Sequence, residues 1–112
     1  MADERLERKA ANETVFRQVN ERIEELQRSF ALGTHEPLQI VCECDRMDCT
    51  ERFPVGLSIY EEVRSDPACF LVVPGHEDLQ VESVVSVAGD YVIVRKNPGE
   101  PRRLAESNDP RS

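Results

Sequence analysis

The stretch "VCECDRMDCTERF", Val41 to Phe53, places three cysteines within eight positions of a chain that holds only four. Its reading decides the fold. As half of a disulfide framework it would staple a small secreted domain. As a set of metal ligands it would tie a strand to some distant loop. Cys42 and Cys44, two apart at a strand end, project to the same side, and a four-residue loop can fold Cys49 back onto them. Three thiolates converge in this way, whereas tetrahedral zinc takes four donors.

The compartment favours metal over disulfides. The opening "MADERLERKAANE" lacks the apolar core of a secretory signal peptide. No apolar run approaches the roughly 18 residues of a spanning helix. The chain is therefore expected to be cytoplasmic, where thiols stay reduced and clustered cysteines point to metal or redox chemistry. Net charge is −8, and residues 35–112 supply −7 of it, with eight basic against fifteen acidic residues. Nucleic-acid affinity comes largely from neutralising phosphates, so nucleic acid is not an expected partner. The same field argues against an anionic membrane surface.

Outward from the cluster, the chain reads as an α+β fold: a long N-terminal amphipathic helix, a small antiparallel sheet with a zinc knuckle, and a C-terminal β-hairpin. From Asp3 to Ala31 there is neither Pro nor Gly. Phe16, Val19, Ile23, Leu26 and Phe30 recur at spacings of 3, 4, 3 and 4, with Val15 beside them, which is one apolar stripe on a helix. Gly33 is the expected stop. A helix of this length spans about 42 Å at 1.5 Å per residue. It is expected to pack its stripe on the sheet, to project, or to meet a partner or second copy through that stripe.

"LQIVCEC" reads as a strand running into the knuckle and "RFPV" as its return. "LSIYEEVRSDP" reads as a short helix with a Ser58/Glu61 capping box and a stop at Pro67. "CFLVV" is a buried-type strand, and "VESVVSV-AGD-YVIVRK" a hairpin in which Tyr91 and Ile93 alternate with Val92 and Val94. The organisation expected is a helix over 1–34, a zinc-stabilised domain over 35–97 and a disordered tail over 98–112, where proline is frequent and apolar residues are few.

His76, Cys69 and His35 are the candidates for a soft fourth ligand, and a water would leave the site open. His76 is preferred, because in "PGHED" a tight turn at Pro74–Gly75 presents the next side chain toward another loop. Cys69 leads the buried strand, where cysteine usually behaves as a small hydrophobe. His35 sits in a linker, where a solvated histidine is ordinary. The expected site is therefore Cys42, Cys44, Cys49 and His76. An iron–sulfur cluster would use Cys69 instead. In an open site Glu43, Asp45, Asp48 and Glu51 would be candidate bases, but in so acidic a segment they read as solvated or supporting groups. No nucleotide-binding glycine loop and no nucleophile motif is present.

The order "VNERIEEL…VCECDRMDCTERFPVGLSIYEEVRSDPACFLVVPGHED…VESVV…YVIVRK" resembles a set of small uncharacterised bacterial proteins, mainly actinobacterial. The resemblance covers Asn20 to about Lys96. It implies that the shared metal-type residues fall on Cys42, Cys44, Cys49 and His76, and that the position of Cys69 is usually not cysteine. Asp45 departs from the pattern, standing where those relatives usually have Gly. The resemblance carries a fold and a site, and no reaction.

The expected function is a non-enzymatic zinc-binding interaction or regulatory module. The alternative is a thiol-based redox or metal sensor whose zinc is released on oxidation. The expected contact is a protein partner, or self-association through the N-terminal helix.

Overall fold

The computed structural model describes residues 4–30, 37–46 and 48–111. Gly33 and His35 lie outside the described residues, as does the side chain of Phe30. The elements run α1 (Glu4–Phe30), β1 (Leu38–Val41), β2 (Arg52–Val55), α2 (Leu57–Arg64), β3 (Cys69–Val72), β4 (Glu82–Val87), β5 (Val92–Lys96) and α3 (Glu100–Ser107). This is the α+β arrangement expected, with β4 and β5 as the hairpin. The strands form two antiparallel sheets, β1–β2 and β3–β5–β4. Ile40 faces Phe53 in the first, and Phe70 faces Val94 in the second. Along β5, Val92, Val94 and Lys96 are buried while Ile93 and Arg95 are half-buried, which is the alternation read from the sequence. Leu38, Ile40, Phe53, Val55, Phe70, Leu71 and Val94 form the core, and Cys42 and Cys44 are part of it.

α1 corrects the expectation that its apolar stripe is its inward face. The buried residues of the helix are Glu13, Arg17, Asn20 and Glu24. Ile23 packs partly against the core. Val15 and Val19 are 43% and 41% exposed, and Leu26 is 41% exposed. At 100° per residue the stripe lies about a third of a turn from the inward face. The reason is what α1 covers. It lies over strand ends and edges, whose backbone groups need partners that an apolar face does not offer.

Arg17 shows this most fully. Its guanidinium donates to the carbonyls of Pro67 and Cys69 at 2.5 and 2.9 Å, and it lies 3.8 Å from the centre of the Phe70 ring. Glu13 accepts from Lys96 at 2.7 Å, and Lys96 also donates to Glu82 at 2.6 Å. From Lys9 to Arg28 the helix is tied to the rest of the chain by such contacts, so it docks along its length instead of projecting.

Two further expectations give way. α2 has Gly56 as its N-cap, in extended conformation, and no side-chain cap; Ser58 lies inside the first turn, so the Ser58/Glu61 box does not form. The segment expected to be a disordered tail contains α3, with Pro101 in its first turn and Leu104 and Ala105 buried. Beyond α3, Asp109 accepts from Arg64 at 2.5 Å, and Arg111 pairs with Glu21 and Glu61. Few apolar residues suffice there because charged contacts supply the rest of the docking.

Candidate metal centre

β1 ends at Val41, and the chain turns through Cys42, Glu43 and Cys44 into a loop that returns at Cys49 before β2. The amide N–H of Cys49 donates to the Arg46 carbonyl at 3.0 Å, closing this return. The amide of Cys42 donates to Glu51 at 3.0 Å and holds the two arms of the knuckle together. His76 arrives from the turn after β3. Its amide donates to the Val73 carbonyl at 2.9 Å, and Gly75 takes a φ of +94°, a conformation that favours glycine. The turn therefore directs the imidazole at the knuckle, as the "PGHED" reading required.

The donor atoms of Cys42, Cys44, Cys49 and His76 all lie within 4.8 Å of one another. The His76 Nδ1 atom stands 3.6 Å from the Cys42 Sγ and 3.6 Å from the Cys49 Sγ. With zinc–sulfur bonds of about 2.3 Å and zinc–nitrogen bonds of about 2.0–2.1 Å, the sulfur–nitrogen edge of a tetrahedron is about 3.6 Å. The donor set and its spacing fit a divalent ion of zinc's preference. Cys69 is not part of the group; it begins β3, buried, beside Asp66. The four-cysteine cluster therefore does not form.

The sulfurs of the three cysteines press on one another. A hydrogen bond from the Cys42 thiol draws Cys44 down to about 5, and the same pairing, together with burial, pushes Cys42 far up. Burial also raises Cys49. A bound ion must displace the protons of the thiols that ligate it.

Glu43, between two ligands, is the part of the site the sequence did not disclose. It is wholly buried, so of the two roles expected for it, solvated or supporting, it takes the supporting one. Its carboxylate accepts from the Leu71 amide at 3.0 Å and from the Asn20 Nδ2 at 2.8 Å, and its own amide donates to Leu71 at 2.8 Å. Burial raises the Glu43 carboxyl, with Arg17 and these donors opposing. Asn20 in turn brackets Val41, accepting from its N–H at 2.8 Å and donating to its carbonyl at 2.9 Å. The Val73 amide points at the Cys42 sulfur, 3.2 Å away, a contact of the kind that steadies a thiolate ligand.

The knuckle is thus locked to β3 by Glu43 and to α1 by Asn20. A second tie runs through Asp45. Its carbonyl accepts from Asn12 at 3.0 Å, and Lys9 bridges its carboxylate to Asp78, two residues past His76. Asp48 and Glu51 are exposed, as expected. One signal in the sequence pointed to these partners: Glu13, Arg17, Asn20 and Glu24 recur at helical spacing, a polar stripe beside the apolar one.

Among the described residues no helix is long and apolar enough to cross a membrane. No family model, curated protein or solved structure matches the chain, so the site is read from its own geometry.

Proposed function

We propose that this chain is a non-enzymatic zinc-binding interaction or regulatory module of the bacterial cytoplasm. Cys42, Cys44, Cys49 and His76 hold a structural zinc ion. The observation that carries the reading is the pair of 3.6 Å sulfur–nitrogen separations, which equal the edge of a zinc tetrahedron. Four protein donors leave no open coordination position, which speaks against a hydrolytic role. The net charge of −8 speaks against nucleic acid. The half-exposed flank of α1, Val15, Val19 and Leu26, is the surface offered to a protein partner or a second copy. The resemblance to small actinobacterial proteins implies the same four ligands and carries no activity.

A sensor that releases zinc on oxidation is the second reading. It draws on one asymmetry: Cys42 and Cys44 are buried, whereas Cys49 is half-buried and accessible to an oxidant.

Elemental analysis of protein purified without added metal tests the first reading, with one zinc per chain expected and none overturning it. His76→Ala is expected to lower zinc content and melting temperature, and Cys69→Ser to leave zinc content unchanged. The opposite pattern would reject the ligand assignment. Zinc retained after mild peroxide removes the sensor reading.

A further inference from the structure

Among the described residues the two sheets have four outer edges, and on three of them the chain itself meets or removes backbone groups that a further strand would need. On β1, Asn20 occupies both backbone groups of Val41. On β3, Glu43 takes the N–H and carbonyl of Leu71, and the Cys42 sulfur takes the N–H of Val73. β2 carries Pro54, which has no N–H to offer a further strand. β4 is treated differently. Ser83, Val84, Val85, Ser86 and Val87 are all exposed along the outside of the β3–β5–β4 sheet.

Strands left at an edge usually carry Lys, Pro or another charge that discourages pairing. From Ser83 to Gly89 this chain has no charge and no proline, although 32% of its residues are charged. Its valines lie on both faces. Val84 and Val87 face Val94 and Val92 across the ladder and extend the buried layer of β5. Val85, lifted by the bulge between Val84 and Ser86, joins Ile59, Tyr91 and Ile93 in a groove of about 390 Å³ on the opposite side. A strand apolar on both faces has the composition of a sheet interior.

We propose that β4 pairs with β4 of a second copy about a two-fold axis, joining the two three-stranded sheets into one antiparallel sheet of six. The charge pattern selects this occupant. A two-fold axis brings each strand against a copy of itself, so like charges carried on the shared edge would be crowded together across it. Two chains of net charge −8 repel elsewhere, and β4 is an exposed strand where they can meet without opposing carboxylates. Its one acid, Glu82, is buried on Lys96 and presents nothing for a cationic partner to read. Pairing about a two-fold axis is also antiparallel by symmetry, which continues the existing order.

Sedimentation velocity on zinc-loaded protein, from low-micromolar to submillimolar concentration, tests this. A species of twice the chain mass is expected, and Val85→Lys and Val87→Lys are each expected to return it to chain mass with an unchanged melting temperature in the monomer range. Hydrogen exchange on the unmodified protein gives a second measurement that needs no variant: amides 83–87 are expected to slow as concentration rises. A chain that stays monomeric throughout overturns the proposal. So does a dimer insensitive to both lysines but lost with Val19→Lys and Leu26→Lys, which would place the interface on α1. Open-ended aggregates in place of a closed dimer overturn it as well.

Discussion

The knuckle side and the hairpin side of this molecule solve the same problem in opposite ways. Around the knuckle, the edges of β1 and β3 are met by side chains from distant elements: Asn20 on β1, Glu43 on β3, Arg17 on the carbonyls leading into β3. These contacts are buried and polar, and each links residues far apart in the chain. On the hairpin side, β4 pairs with β5 and turns apolar side chains to solvent. One side draws its order from polar groups that must be paired with residues far off in the chain. The other draws it from local pairing across a short turn. The lesson is that tight packing here follows backbone satisfaction: the helix buries Glu13, Arg17, Asn20 and Glu24 and leaves valines outside.

The comparison breaks most visibly if the metal is removed. Structural zinc in small peptides is worth about 10–16 kcal/mol. Chelation is therefore expected to expose the amides of Cys42–Cys49 and of β1 and β2 to exchange first, with the β4–β5 pairing the last to go. Hydrogen exchange resolved by segment checks this, and simultaneous loss on both sides would erase the distinction.

Asn20→Ala comes next. It leaves the N–H and carbonyl of Val41 and one oxygen of Glu43 without their partner. Each buried orphan costs about 1–3 kcal/mol. The expected result is a lower denaturation midpoint and faster zinc release to a chromogenic chelator, although Asn20 is no ligand. Zinc release at the unmodified rate would show that the helix and the site are independent.

A smaller effect separates the two flanks of α1. Ile23→Asp places a charge where the side chain packs against the core, and a loss within the usual range of about 0.5–3 kcal/mol is expected. Leu26→Asp, on the exposed flank, is expected to stay within about 0.5 kcal/mol in urea titrations of the monomer. Equal losses would put the stripe inside.

The last effect is a slope with pH. Burial raises the Glu13 carboxyl from 4.5 to about 7, because Lys96 is shared with Glu82 and only partly offsets the lost solvation. The folded state thus binds this proton more tightly than the unfolded state. The resulting contribution is complete below pH 4.5 and is lost as pH rises through about 7. Glu13→Gln removes that dependence. Relative to the unmodified protein, the variant is expected to gain stability between pH 5 and 7, by at most about 1.4 kcal/mol per pH unit. Parallel pH profiles would show that Glu13 is ionised when folded.

Much of this was legible because it depends on short-range rules. Alternation in "YVIVRK" set Val92 and Val94 on one face of β5, which the fold buries, and the Pro74–Gly75 turn gave His76 its direction. The spacing of Cys42, Cys44 and Cys49, with His76, gave the ligand set that the fold draws together. The tail from residue 98 misled for a physical reason. Composition judges whether a segment can bury apolar surface, while α3 docks with two buried residues and is followed by ion pairs at Asp109 and Arg111.

What the sequence determined by itself is the set of elements through β5 and the three converging cysteines, with His76 as the preferred fourth donor, since these follow from periodicity, turn chemistry and donor chemistry within short windows. Which face of α1 turns inward was decided only in the tertiary structure. A hydrophobic stripe shows that a helix has an apolar side to hide. Whether it is hidden depends on what the helix must cover, and here α1 covers strand edges and a knuckle of cysteines and His76. Unpaired N–H and carbonyl groups there cost more than a few half-exposed valines, so the polar face goes in.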